Sequence, residues 1–245
     1  MEISIAAEKI GHIGSFPITN SILLSWIVLA GLVIVSLIAT KKMKAVPDSV
    51  QNFFETIIES LYNLVVDVLG SESQAKKYFP LLATIFLFII ANNWIGLLPG
   101  VGTIGIHEIK NGEQILVPLF RGGNADLNTT LALAIVAVIA IQVFGVSAIG
   151  AAKYAKKFIN FSNPINFFLG VLELISEFSR LISFSFRLFG NIFAGEVLLM
   201  VIAYLVPLVA PLPFYFLELF VGLVQALVFM MLTLVFIRGA TAEAH

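Results

Sequence analysis

Five apolar runs, most about as long as a bilayer is thick, constrain what this chain can fold into more than any other feature. An α-helix needs about 20 apolar residues to cross the hydrocarbon, where backbone groups must be bonded within the segment. Ser21–Thr40, Phe79–Gly100 and Leu127–Gly150 are three such runs. A fourth extends from about Ile165 to Ala210, and a last one covers 214–237. Of the 245 residues 59% are hydrophobic and 12% charged, against roughly 45–50% and 25% in soluble domains, which excludes that class. The expectation is an all-α membrane protein, one membrane domain over 1–245.

Lysines and arginines sort the loops between these runs. The segments after the first and third spans hold Lys41, Lys42, Lys44, Lys76, Lys77, Lys153, Lys156 and Lys157. The tail 1–20 and the loop 101–126 hold only Lys9, Lys110 and Arg121. By the positive-inside rule the N-terminus is expected outside and, after five crossings, the C-terminus in the cytoplasm beyond Arg238. The first residues carry two Glu and one Lys without a continuous apolar core, so the first span is expected to serve as its own targeting signal. Between the first two spans, 48–70 places Val50, Phe53, Phe54, Ile57, Leu61, Leu64, Val65 and Val68 at helical spacing. With Asp48 and Gln51 as a capping pair, it reads as an amphipathic helix on the inner interface. Packing on lipid and bundle, or docking a partner, are both open for it.

The fourth run is too long for one upright crossing. As a single helix over 163–206 it would measure about 60 Å, twice the hydrocarbon thickness. Two separate spans would put the C-terminus on the side the lysines oppose, so a long tilted helix is expected. It returns through Pro207, Pro211 and Pro213 into the final helix, and the two form a long hairpin.

Polar residues on that helix are ordered. At 100° per residue Glu173, Glu177, Arg180, Arg187, Asn191 and Gly195 fall within about 40° of one line, with Ser176 and Ser183 beside it. Arg187 is permanently charged, and a charge at mid-membrane costs at least roughly 2.5–3.5 kcal/mol. No acid stands three or four residues from it, so its partner is expected on another helix or another polypeptide. Glu173, Glu177 and Arg180 read equally as an internal brace or as a channel lining. Glu196 lies on about the opposite side, toward a final helix whose Glu218 and Gln225 share a face. Carboxyls in apolar helices suit proton relay. Asn92, Asn93, Thr129, Thr130 and Gln142 also read as interhelical hydrogen bonds.

Other chemistry is not legible. A net charge of -1 argues against nucleic acid, and the chain has no cysteine. His12, His107 and His245 are isolated, so no metal is expected, and no nucleophile or phosphate-binding motif appears. One arginine with a few carboxyls and amides at membrane depth suits the movement of protons or small cations.

SFRLFGNIFAGE at Ser185–Glu196 resembles the signature of subunit a of F-type ATP synthases. QNFFE at Gln51, FLFIIANNWIGLLPG at Phe86, ADLNTTLALA at Ala125, LVPLVAPLP at Leu205 and VQALVFMMLTLVFI at Val224 resemble the same family in the same order. The resemblance covers nearly everything after residue 20. It implies a stator subunit in which Arg187 faces the carboxylates of a rotating c-ring and separates two offset proton half-channels. Asn191, Glu196 and Gln225 match polar positions beside those paths, Glu218 a position held by His or Glu, and Asn93 an amide of the second span. Ser183, Glu173 and Glu177 join the pathway on this reading. An acid some members carry three residues beyond that amide is Gly96 here. The implied partners are the c-ring, the b and b′ peripheral-stalk subunits and the lipid bilayer, with no nucleotide and no cofactor bound. The implied site is an energy-transducing membrane, the bacterial inner membrane or the thylakoid. A self-contained cation channel or secondary transporter is the alternative, and it would show an internal repeat that is not seen.

Overall fold

A computed structural model of the chain describes residues 7–41, 47–102, 104–110, 113–158, 163–207 and 209–242. Lys42, Lys44 and His245 lie outside the described residues. The described residues form seven α-helices: α1 (Asn20–Lys41), α2 (Ser49–Leu69), α3 (Glu72–Gly96), α4 (Leu127–Ile149), α5 (Ala151–Phe158), α6 (Pro164–Leu205) and α7 (Pro211–Thr241). Five of them, α1, α3, α4, α6 and α7, are long and apolar enough to cross a membrane. Short strands stand in the segments expected outside: β1 (Lys9–Ile13) with β2 (Phe16–Thr19), then β3 (Pro99–Gly102), β4 (Gly105–Lys110) and β5 (Glu113–Pro118). β1 and β2 pair antiparallel, as do β4 and β5.

The ends of the helices follow local chemistry. Asp48 and Asn163 stand in extended conformation at the N-caps of α2 and α6. Proline opens α6 and α7, where its missing N–H has no helical partner to lose. The Asp126 side chain caps α4 by accepting from the Asn128 backbone N–H at 3.0 Å. The second span begins earlier than its apolar run, at Glu72 rather than Phe79, so Pro80 lies inside the helix. Packing carries the added turns, since Ala75 and Tyr78 are buried there. Pro211 and Pro213 belong to the first turn of α7 and leave Pro207 in the connection. The lysine-bearing segment after the third span forms a short helix of its own, α5.

α3 and α7 pack along each other at the centre, α4 lies against both α6 and α7, and α1 and α2 cover α3. Leu82, Ile89, Ile141, Leu188, Met230, Leu234 and Ile237 are fully buried between them. Away from this core the helices stay apolar. Val33, Ile34, Leu37 and Ile38 of α1 and Ile165, Phe168 and Phe178 of α6 are exposed. Helices hydrophobic on the outside as well as the inside belong in lipid, not water. α6 is one unbroken helix of 42 residues, long enough to span a bilayer twice over and therefore suited to a slanting course.

Part of the outer loop is not at the surface. Arg121, Gly123, Asn124, Ala125 and Asp126 are all buried. A 3-10 turn at Gly123–Ala125 touches α1, α3, α4 and α6 together. Only glycine fits at 123, because a Cβ there would fall on Ser25 Oγ and Asn92 Oδ1. The loop thereby plugs one end of the helical bundle and presents its side chains inward.

Candidate functional site

Arg187 lies in the middle of α6 and is exposed on the outer surface of the chain. Its Nη2 donates to Ser183 Oγ, one turn earlier, at 3.1 Å. Among the described residues no carboxylate pairs with it. Ser176, Ser179, Arg180, Ser183, Phe184 and Arg187 line an open groove of ≈ 270 Å³, closed on its far side by Leu232 and Phe236 of α7. Gln225 and Arg187 both line a narrower recess beside it, together with Phe229. Asn191 is exposed one turn further along the same face. A cation and two amides therefore stand on an apolar surface that the chain itself leaves uncovered.

At the end of α6 nearer the buried loop, the two acids have separate environments. Glu196 Oε2 accepts from Arg121 Nε at 3.4 Å. Glu196, expected to point toward the final helix, makes this bond with the loop. Glu218 of α7 is buried and packs over Gly195, where an added Cβ would fall on its carboxyl group. The lack of a side chain at 195 is what admits that carboxyl between the helices. Asn93 Nδ2 donates to the Gly222 carbonyl at 2.9 Å, one turn from Glu218, and Asn93 Oδ1 accepts from Asn124 Nδ2 at 2.8 Å. Asn93, Asn124, Glu218, Glu196 and Arg121 thus gather where α3, α6 and α7 meet the loop.

At the other end the stripe is paired. Arg180 Nη1 donates to both carboxylate oxygens of Glu177 at 2.7 Å and stacks 3.9 Å from the Phe236 ring centre. Lys157 Nζ of α5 reaches Glu173 Oε1 at 2.8 Å. Tyr154 of α5 is buried and donates from its hydroxyl to Gln142 Oε1 at 2.6 Å. Burial raises its pKa above 10.0, the Glu177 and Glu173 carboxylates add to the rise, and Arg180 opposes it. Glu173 and Glu177 are thus paired with Lys157 and Arg180, and Arg180 also borders the groove of Arg187.

The geometry brings Arg187, Ser183 and Gln225 together at mid-helix, Asn93 and Glu218 at the loop end, and Glu173 and Glu177 at the α5 end. Arg121, Asn124 and Tyr154 are the residues that sequence reasoning passed over. For Arg121 the available signal was a lone arginine five residues before the Asp126 cap, in a loop otherwise rich in glycine. The amides behave as interhelical bonds: Ser25 Oγ donates to Asn92 Oδ1 at 3.2 Å, and the Thr130 and Ser185 hydroxyls meet at 3.2 Å. No group of three or more His, Asp or Glu placed to hold a metal ion occurs among the described residues. Permanent charge, carboxyls and amides spaced along one slanting helix can attract an anion and pass protons.

Comparison with known proteins gives the family. Residues 22–238 match the family model described as ATP synthase A chain. The chain is 37% identical over 229 residues to a protein named ATP synthase subunit a from Geotalea daltonii, covering 92% of this chain and 89% of that one. A protein of the same name from Campylobacter jejuni subsp. jejuni serotype O:23/36 is 39% identical over 218 residues, 87% of each chain. One from Geobacter sulfurreducens is 37% identical over 229 residues, 92% of this chain and 89% of that one. With five helices fit to cross a membrane and a match over most of its length, the chain is a multi-pass membrane protein and belongs to the ATP synthase A chain family.

Proposed function

We propose that this chain is the stator through which protons reach and leave a rotating ring of carboxylate-bearing c subunits in an F-type ATP synthase. The observation that carries the reading is Arg187, a permanent cation at mid-helix, exposed on an apolar face and paired with no carboxylate of its own chain among the described residues. A charge left so at membrane depth is costly unless a partner supplies the anion. A ring carboxylate that has lost its proton is attracted to Arg187. A reprotonated one is released, and the ring advances.

Glu218, Glu196 and Asn93 form the polar path on the loop side of Arg187, and Glu173 and Glu177 the path on the α5 side. Ser183 holds the guanidinium, while Asn191 and Gln225 flank it. Because Arg187 stands between the two paths, protons go round by the ring and not straight across. The chain binds no nucleotide and assembles with the c-ring and with the b and b′ subunits of the peripheral stalk. Its N-terminus is outside and its C-terminus cytoplasmic, in a bacterial inner membrane.

ATP-driven proton uptake by vesicles carrying the assembled complex tests this. Arg187→Ala is expected to lower uptake by roughly a hundredfold or more, as loss of a preorganised charge does elsewhere, with the complex intact. Parent-like uptake in that variant would make Arg187 a structural charge and end the proposal.

A further inference from the structure

Arg121 belongs to a loop, yet its side chain is only 10% exposed. It enters the bundle beside a turn whose Gly123, Asn124 and Ala125 are buried against four helices. Its guanidinium lies 5.7 Å from the Phe193 ring centre, and its Nε is 3.4 Å from Glu196 Oε2. Phe193 and Glu196 are three residues apart on α6, so the arginine grips one edge of that helix. The Glu196 side chain is 32% exposed, so the contact with Arg121 does not enclose the acid. Among the described residues, Glu218 of α7, seated over Gly195, is another charged group at this level.

We propose that Arg121 is a positioning residue for proton transfer at Glu196: the buried loop holds its guanidinium against one carboxylate oxygen and leaves the other open to exchange. The inference rests on the reading of Glu196 as a member of the loop-side proton path. A contact of 3.4 Å is loose for an ion pair between charged groups. It orients the carboxyl without locking it, as a group that alternately takes and gives a proton requires. The buried turn behind Arg121, and not the side chain alone, sets the distance.

Vesicles with the assembled complex test the pair, with ATP-driven proton uptake followed from acid to alkaline pH and assembly scored by immunoblot. Arg121→Gln is expected to lower uptake roughly tenfold and move its pH profile by about one unit or more, the effect an opposite charge within about 4–6 Å has on a carboxyl. Arg121→Lys keeps the charge but loses the planar fork, and is expected to give intermediate uptake and an intermediate profile. Added to Glu196→Gln, Arg121→Gln is expected to change nothing further. Equal loss in both backgrounds with a parent-like profile overturns the proposal, since a mere loop anchor would give that result. Should Arg121→Gln fail to assemble, an unchanged profile in Arg121→Lys overturns it alone. Parent-like uptake in Glu196→Gln overturns the underlying reading of Glu196. An inactive Glu196→Gln beside an unaltered Arg121→Gln overturns only the role of Arg121.

Discussion

At Gly195 the absence of a side chain makes room for a neighbour, because the Glu218 carboxyl occupies the space a methyl group would need. Gly195→Ala is expected to displace that carboxyl and lower proton uptake severalfold. Gly239→Ala, where a Cβ meets nothing within 4 Å, should leave uptake unchanged. Equal activity of the two variants would show that Glu218 does not depend on the gap. Tyr154 offers a second residue-level check. Its raised pKa means that the folded chain keeps the phenol proton where the unfolded chain has lost it. The stability this contributes is complete below about pH 10, the unfolded value, and fades as pH rises through the folded one. Thermal unfolding in detergent should therefore weaken less steeply at alkaline pH in Tyr154→Phe than in the parent, and parallel curves would contradict this. Arg187 was legible in the sequence because a lone charge in an apolar run has few explanations. Arg121 was not, since its partner lies 75 positions away and no periodicity connects a loop to a helix face.

At the scale of elements, the spans could be read because lipid forces long apolar runs, and these helices lie close to where the runs stand. What escaped was set by tertiary contact. The first turns of α3 are helical because Ala75 and Tyr78 are buried, not because they are apolar enough to cross a membrane. The loop turn at Gly123 is ordered by four helices at once. The stripe on α6 was visible as an angle, but its division into a paired end, an open middle and a loop end required the positions of α5 and α7. α4 and α6 are joined by the buried Thr130 and Ser185 hydroxyls. Removing one hydroxyl in Ser185→Ala should cost about 0.6 kcal/mol, the mean for such bonds between membrane helices. Overfilling the same site in Ser185→Leu should cost about 1–3 kcal/mol. Thermal stability of the purified complex in detergent ranks the two, and a reversed order would mean the site is not tightly packed.

At the scale of the whole molecule, apolar outer faces, a plugged end and the long pair α6 and α7 leave Arg187 exposed at mid-helix, as the proposed stator role requires. The sides proposed from the lysine pattern are simple to check in a chain without cysteine. His12→Cys and Lys153→Cys, both at exposed positions, should react with a membrane-impermeant maleimide from opposite faces of the membrane, the first from outside. Labelling of both from one face would contradict the proposed topology, and labelling of Lys153→Cys from outside with His12→Cys from inside would reverse it. The claim on which the rest depends is that Arg187 couples ring movement to proton flow and bars a direct leak. Passive proton conductance of vesicles stripped of the ATPase head, compared between the parent and Arg187→Ala with the membrane sector intact, tests it most directly. Conductance retained or raised, with ATP-driven uptake lost, is the predicted result, and conductance abolished along with uptake would contradict it.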